Sequence, residues 1–257
     1  MKPRHNLYFL SDMHLGTRCL DDSTGLERRV VAFLDSIKDD AEEIYFVGDV
    51  LDYWFEYKHV VPRGFVRFFG KVAELSDSGV KITWLTGNHD TWIDDYLPKE
   101  LGVEVVEGAL IKEIAGKRFF LEHGDGVGEM PAKLRLMRKV FHSKICRKLF
   151  SGIHPRWTVP LANGWSNSNR KKHRYSPQYY GPDKEPLILF AKQFLTAHDI
   201  DYFVFGHRHI LVEESIEVEV DRQSRRAEVV ILGEWMDLCS YAVYDGEKLQ
   251  LRRFEEF

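Results

Sequence analysis

Cysteine is scarce in this sequence. Its three residues, Cys19, Cys146 and Cys239, are odd in number, far apart and never arranged as Cys-x-x-Cys. That spacing argues against a disulfide-stapled scaffold and points to reduced thiols in a cytosolic compartment. Long apolar runs are also lacking. Leu7-Tyr8-Phe9-Leu10, the longest early one, is shorter than a signal-peptide core, and nothing approaches the ~20 residues of a membrane span. The expectation is a soluble, intracellular protein. Glycine (19) and proline (9) are too few for a collagen-like chain, and a 44% hydrophobic content excludes disorder. The 257 residues suffice for one large or two modest domains, each with a real core.

A more local absence carries more information. Between Glu129 and Asp183 there is no acidic residue, while the same window holds twelve bases: Lys133, Arg135, Arg138, Lys139, Lys144, Arg147, Lys148, Arg156, Arg170, Lys171, Lys172 and Arg174. The net charge of −4 therefore divides into +12 in this window and −16 elsewhere. Such asymmetry implies that one segment faces an anionic partner.

What is present recurs as a short apolar run closed by a polar turn. Leu7–Leu10 leads to Ser-Asp-Met-His, Ile44–Val47 to Gly-Asp-Val-Leu-Asp, and Ile82–Leu85 to Thr-Gly-Asn-His-Asp. Phe119–Leu121 leads to Glu-His-Gly-Asp and Tyr202–Phe205 to Gly-His-Arg-His. These read as buried strands running into turns. Helical spacing separates the first three: Leu26, Val30, Phe33, Leu34 and Ile37, then Phe65, Phe68, Phe69, Val72 and Leu75, with Pro62 a plausible first helical residue. Strand–helix–strand alternation implies parallel pairing through right-handed crossovers.

From about Val103 the pattern turns to hairpins. Ala109–Ile114 meets Lys117–Leu121 at Ala115-Gly116, Ile216, Val218 and Val220 alternate with Glu217, Glu219 and Asp221, and Tyr241–Tyr244 meets Leu249–Arg253 at Asp245-Gly246. Within the acid-free window Leu134, Met137, Val140 or Phe141, Ile145 and Leu149 share one helical face, and Gly152, Pro155, Pro160 and Gly164 then break the chain into short pieces. The expected architecture is an α/β core with two packed sheets flanked by helices (residues 1–129 and 183–257). An inserted basic helical cap (130–182) interrupts it, and a helix carrying Leu187, Phe190, Ala191, Phe194 and Leu195 re-enters the core.

In an α/β sheet, turns that follow strands gather at the carboxyl edge. There Asp12-x-His14, Asp49-x-x-Asp52, Asn88-His89-Asp90, His123-x-Asp125 and His207-x-His209 would meet. Asp and Asn begin turns for backbone reasons, and an isolated His-x-His is most often a surface loop. Five such turns, each closing an apolar run, are not explained that way. Carboxylate, amide and imidazole together suit a borderline divalent ion such as Mn, Fe, Co or Zn rather than a sulfur-bound one. Seven ligands exceed one tetrahedral ion and match two that share a carboxylate. Such a pair clamps the oxygens of an in-line displacement and lowers the pKa of a bound water, the chemistry of phosphoester hydrolysis.

This succession of turns resembles the calcineurin-like metallophosphoesterases over about residues 7–211. The resemblance implies Asp12, His14 and His209 on one metal and Asn88, His123 and His207 on the other, with Asp49 bridging. It also implies that His89, held by Asp90, faces the phosphate, where it stabilises developing charge or protonates the leaving oxygen. A closer resemblance covers nearly the whole chain. Phe46-Val-Gly-Asp-Val-Leu-Asp-Tyr-Trp54, Leu121-Glu-His-Gly-Asp125, the following insertion and Val230-Ile-Leu-Gly-Glu-Trp235 are similar to the UDP-2,3-diacylglucosamine pyrophosphatase family of lipid A synthesis. That likeness implies a Mn-dependent enzyme, peripheral to the inner face of the cytoplasmic membrane, whose cap receives two acyl chains and the nucleotide. The basic, partly apolar window has the matching chemistry, with Arg170, Lys171 and Lys172 joining Asn88 and His89 as substrate contacts.

The family's usual Gly-Asn-Arg-Asp is Gly-Asn-His-Asp here. A phosphate leaving group, with a second pKa of ~6, needs no proton donor, whereas a histidine can also serve an alkoxide. One alternative is therefore a phosphodiesterase or phosphatase acting on nucleotides or nucleic acid, the cap gripping a strand. A catalytically dead interaction module would have lost metal ligands, and none is missing. His5, His59, His142, His154 and His198 match no motif, and oligomeric state leaves no mark in the sequence.

Overall fold

In a computed structural model, residues 4–128, 132–160, 164 and 178–255 are described. The first half alternates strand and helix: β1 (Asn6–Leu10), α1 (Ser23–Ile37), β2 (Ala41–Val47), α2 (Val66–Asp77), β3 (Lys81–Leu85), α3 (Tyr96–Leu101) and β4 (Glu104–Val106). Then come β5 (Leu110–Ile114) and β6 (Lys117–Glu122), followed by α4 (Ala132–Phe141), α5 (Lys144–Ser151) and α6 (155–160). After α7 (Pro186–Ala197) the chain closes with β7 (Tyr202–Phe205), β8 (Leu211–Val220), β9 (Gln223–Leu232), β10 (Ser240–Tyr244) and β11 (Leu249–Arg253).

Two sheets pack face to face. The first has the order β11-β10-β1-β2-β3-β4 and the second β5-β6-β7-β9-β8. Their facing side chains form one apolar layer, in which Phe9 stacks on Tyr45 at 4.9 Å and on Phe119 of the opposite sheet at 5.9 Å. The outer face of the first sheet is covered by α1, α2 and α3 through Val30, Phe33, Phe68, Val72 and Leu97. The second is covered by α7 through Leu187, Ile188, Ala191 and Leu195. The periodic residues of α1 are the buried ones, as amphipathic spacing requires; in α7 Leu187, Ala191 and Leu195 are buried together with Ile188, whereas Phe190 and Phe194 are half-buried at the margin of the same face. Asp22 caps α1 by accepting from Gly25 N at 2.7 Å.

The expected two-sheet α/β class holds, with local corrections. The segment β4, expected to open the hairpin region, instead pairs parallel with β3 as an edge strand of the first sheet. The second sheet is mixed, because β6, β7 and β9 run parallel inside a frame of hairpins. Pro62 does not start α2. The helix begins at Val66 after Phe65, whose φ of 61° is left-handed. Asp221 is not a strand residue but forms, with Arg222, a two-residue turn in which both have positive φ. The continuous helical face expected from Leu134 to Leu149 is split between α4 and α5, where Ser143 caps the second helix by accepting from Cys146 N at 3.4 Å.

Candidate metal centre

All the parallel strands end toward one edge, and backbone bonds lock their exit turns together. Asp12 N donates to Gly48 O (3.1 Å), His14 N to Asp49 O (3.0 Å) and Gly206 N to His123 O (2.9 Å). The turns leave almost no space between them. A Cβ on Gly206 would sit 1.9 Å from Ser11 Oγ, and one on Gly87 would sit 2.2 Å from Asp49 Oδ1. Ten described non-glycine residues have positive φ, and five of them are Asp12, His14, Asp49, His207 and His209. Left-handed backbone costs an ordinary residue roughly 1–2 kcal/mol. Half of this strain is thus concentrated at the predicted ligands, where the surrounding turns over-determine the backbone.

The side chains converge accordingly. His209 Nε2 lies 3.0 Å from Asp12 Oδ1, and His14 Nε2 lies 3.2 Å from His209 Nε2 and 3.6 Å from Asp12 Oδ1. On the other side of Asp49, His123 Nε2 lies 3.2 Å from Asp49 Oδ2, while His14 Nε2 approaches the same oxygen at 3.8 Å. Asp12, His14, Asp49 and His123 are buried. Three sets could each hold an ion: Asp12, His14 and His209; Asp12, Asp49 and His123; and His14, Asp49 and His89. His207 contacts His123 edge to face at 5.2 Å and is exposed at the rim. Asn88 is also exposed, and none of the described hydrogen bonds comes from its side chain.

The donor chemistry fits divalent cations. Asp12 Oδ2 accepts from His207 N at 2.8 Å and lies 2.7 Å from the Ser11 hydroxyl, while Oδ1 is buried without a hydrogen bond. His123 Nδ1 donates to Val47 O at 3.0 Å, which fixes the tautomer and leaves a buried Nε2 that also lacks a hydrogen bond. Two imidazole nitrogens 3.2 Å apart share one proton at most, whereas a cation satisfies both.

The charges point the same way. Burial works to raise Asp49, but His123 and His89 beside it more than reverse this and hold its carboxyl far below the usual range. Asp12 behaves likewise, with His209 and His14 outweighing burial. Burial opposes charge on His123, yet Asp49 keeps it well above the ordinary imidazole value. The buried carboxylates of Asp12 and Asp49 are thus held in surroundings that favour their charged form.

The expected Asp90–His89 tether is not formed. Asp90 is fully buried and accepts from Gly87 N (2.7 Å), Val50 N (3.0 Å), Trp84 Nε1 (3.2 Å), Asp49 N (3.3 Å) and Leu51 N (3.5 Å). It ties the turn after β3 to the turn after β2. Burial, and then the Asp49 charge, raise it to about 6, while the N–H groups of Gly87 and Trp84 favour its charged form. His89 is held instead by Asp52, whose carbonyl accepts from Nδ1 at 2.9 Å, and its Nε2 lies 4.0 Å from Asp49 Oδ2. Burial lowers its pKa. Asp52 also approaches His14 Nδ1 at 3.5 Å. It was visible in Asp49-x-x-Asp52, but its role was not.

The insertion docks on the same turns. Trp92 Nε1 donates to Phe141 O at 2.7 Å, and Phe150 packs on Phe55 and Trp92 at 4.9 Å each. Arg147 pairs with Asp94 at 3.2 Å, and Tyr57 hydrogen-bonds Thr158. Outward it exposes Leu136, Val140, Ile145, Leu149 and Trp157 among exposed Arg135, Lys139, Lys144, Lys148 and Arg156. The predicted substrate contacts Arg170, Lys171 and Lys172 lie outside the described residues. Among the described residues no helix is long and apolar enough to cross a membrane.

This fold and ligand set define a hydrolase of the metallophosphoesterase class, and the chain belongs to the calcineurin-like phosphoesterase family, which it matches over residues 5–211. A relative from Porphyromonas gingivalis, named UDP-2,3-diacylglucosamine hydrolase, is 44% identical over 266 residues, covering 98% of this chain and 99% of that protein. A protein of the same name from Neisseria meningitidis serogroup B is 25% identical, with 96% of each chain covered. Among solved structures, Yfce, a phosphoesterase from E. coli, aligns with 96% of this chain and 92% of its own, at 17% identity and a TM-score of 0.46.

Proposed function

We propose that this chain hydrolyses the diphosphate of UDP-2,3-diacylglucosamine, giving UMP and 2,3-diacylglucosamine 1-phosphate. The observation that carries this reading is the convergence of buried Asp12, His14, Asp49 and His123 with half-buried His209 beside a basic, partly apolar insertion. Full-length relatives bearing that enzyme's name support it. Asp12, His14 and His209 would hold one divalent ion and Asn88, His123 and His207 a second, with Asp49 common to both and manganese the native metal. Bound ions of this kind supply positive charge for the diphosphate and lower the pKa of a water.

The rest falls to the protein's own groups. Asp90 and the backbone bonds between turns keep the ligands in their strained conformation. His89, its ring anchored on the Asp52 carbonyl, offers Nε2 to the phosphate. Residues 130–182 form the substrate cap on a core of residues 1–129 and 183–257, and Arg170, Lys171 and Lys172 grip phosphate oxygens. The exposed mixture of Leu136, Ile145, Leu149 and Trp157 with lysines and arginines suits acyl chains and the anionic inner face of the cytoplasmic membrane.

The test compares substrates with the Mn-loaded full chain. UMP release from UDP-2,3-diacylglucosamine should exceed turnover of a cyclic nucleotide or single-stranded DNA by orders of magnitude. Faster cleavage of either rival would replace this reading with that of a nucleotide or nucleic-acid phosphodiesterase.

A further inference from the structure

Arg208 stands between His207 and His209, and its guanidinium reaches the segment by which the chain returns from the insertion. Nε donates to Glu185 Oε1 at 2.8 Å, Nη2 donates to Gln178 O at 3.3 Å, and the guanidinium lies 5.1 Å from the centre of the Tyr180 ring. One side chain thus holds both ends of residues 178–185. Glu185 is fully buried and occupies the cap position of α7, where a side-chain oxygen ordinarily accepts a first-turn N–H. It makes no such bond; its carboxylate is committed to Arg208. An unpaired carboxylate there would be strongly unfavourable, so displacing Arg208 is costly.

That anchoring bears on the ligands at either side. His207 and His209 have φ of 65° and 52°, conformations that persist only where the surroundings over-determine them. Asp12 Oδ2 holds the turn from the core side through His207 N at 2.8 Å. Arg208 holds it from the side of the insertion.

We propose that Arg208, with Glu185, is a positioning pair that sets His207 and His209 and couples them to the 178–185 arm, so that cation binding and ordering of that arm favour each other. The inference rests on the reading of the cluster as a metal centre. Coupling of this kind is reciprocal by thermodynamic linkage.

The experiment measures Mn2+ binding by equilibrium dialysis to chelator-stripped full-length wild type, Glu185→Gln and Arg208→Lys. Lysine keeps the charge but lacks the fork that spans Glu185 and Gln178. Both variants should bind one of two Mn2+ ions about tenfold or more weakly, the size typical of changes behind the ligands, with far-UV circular dichroism unchanged. In wild type, Mn2+ should also slow amide exchange across 178–185, a readout that stands even where Glu185→Gln fails to fold. Folded variants with wild-type affinity at both sites, or exchange indifferent to Mn2+, overturn the coupling. Wild-type protein that takes up no Mn2+ overturns the metal centre itself, which separates the two failures.

Discussion

Five N–H groups converge on the carboxylate of Asp90, and none belongs to the His89 ring. The two roles make different predictions. Asp90→Asn removes the charge and turns a donor toward donors, which costs about 3 kcal/mol, or roughly 6–12 °C in Tm. A calorimetric scan checks this; an unchanged Tm with lost activity would restore the tether to His89. On the proposed function, His89→Ala should leave Tm near wild type and lower kcat about 100-fold with little change in KM, since its imidazole would supply one stabilising group to the phosphate. Asp49→Ala should abolish turnover while the chain folds, because Asp49 Oδ2 lies near three imidazoles and its backbone N–H remains for Asp90. Residual turnover above about 1% of wild type would remove Asp49 from the centre.

At the scale of elements, α4, α5 and the return arm are each fastened to turns that carry candidate ligands, α4 in part through Arg138, 3.7 Å from Asp125. Phe150 of α5 rests on Phe55 and Trp92, which follow Asp52 and Asp90 in the chain, while Arg208 grips the return arm. Phe150 is half-buried, so Phe150→Ala should cost about 2 kcal/mol locally, a roughly 30-fold rise in the undocked population. Trypsin should then cut at Arg147 or Lys148 correspondingly faster, and KM for the lipid substrate should rise while the Tm of the core holds. Equal cleavage rates would show that α5 is held by other contacts. These fastenings also mark where the sequence stops being readable. The helices α1 and α7 and the five candidate metal-ligand turns announce themselves because periodicity or adjacent residues carry the signal. Glu185 and Arg208 are 23 residues apart in an ordinary charged context, and only folding pairs them. The break between α4 and α5 escaped because His142-Ser143 interrupts no apolar spacing.

For the whole molecule, the decisive feature is that the candidate metal ligands come from both sheets. Asp12 and Asp49 leave β1 and β2 of the first, while His123 and His207-x-His209 leave β6 and β7 of the second. The succession of turns was legible, and so was their gathering at one edge, because strands of a parallel sheet end on the same side. That two different sheets supply them was only partly legible, since the parallel pairing of β6, β7 and β9 depends on long-range register that hairpin patterns conceal. A cation joined to Asp12, Asp49 and His123 would therefore clasp the sandwich at its open edge and bind the unfolded chain poorly. At a free metal concentration about 1,000 times the dissociation constant, such binding stabilises the folded state by about 4 kcal/mol. For a protein of this size that corresponds to roughly 8–16 °C in Tm. Removing metal with a chelator should lower Tm by that amount, and re-adding Mn2+ should restore it, whereas Ca2+, which prefers six to eight oxygens, should restore little. A Tm that ignores both chelator and Mn2+ would mean that the clasp across the two sheets does not exist.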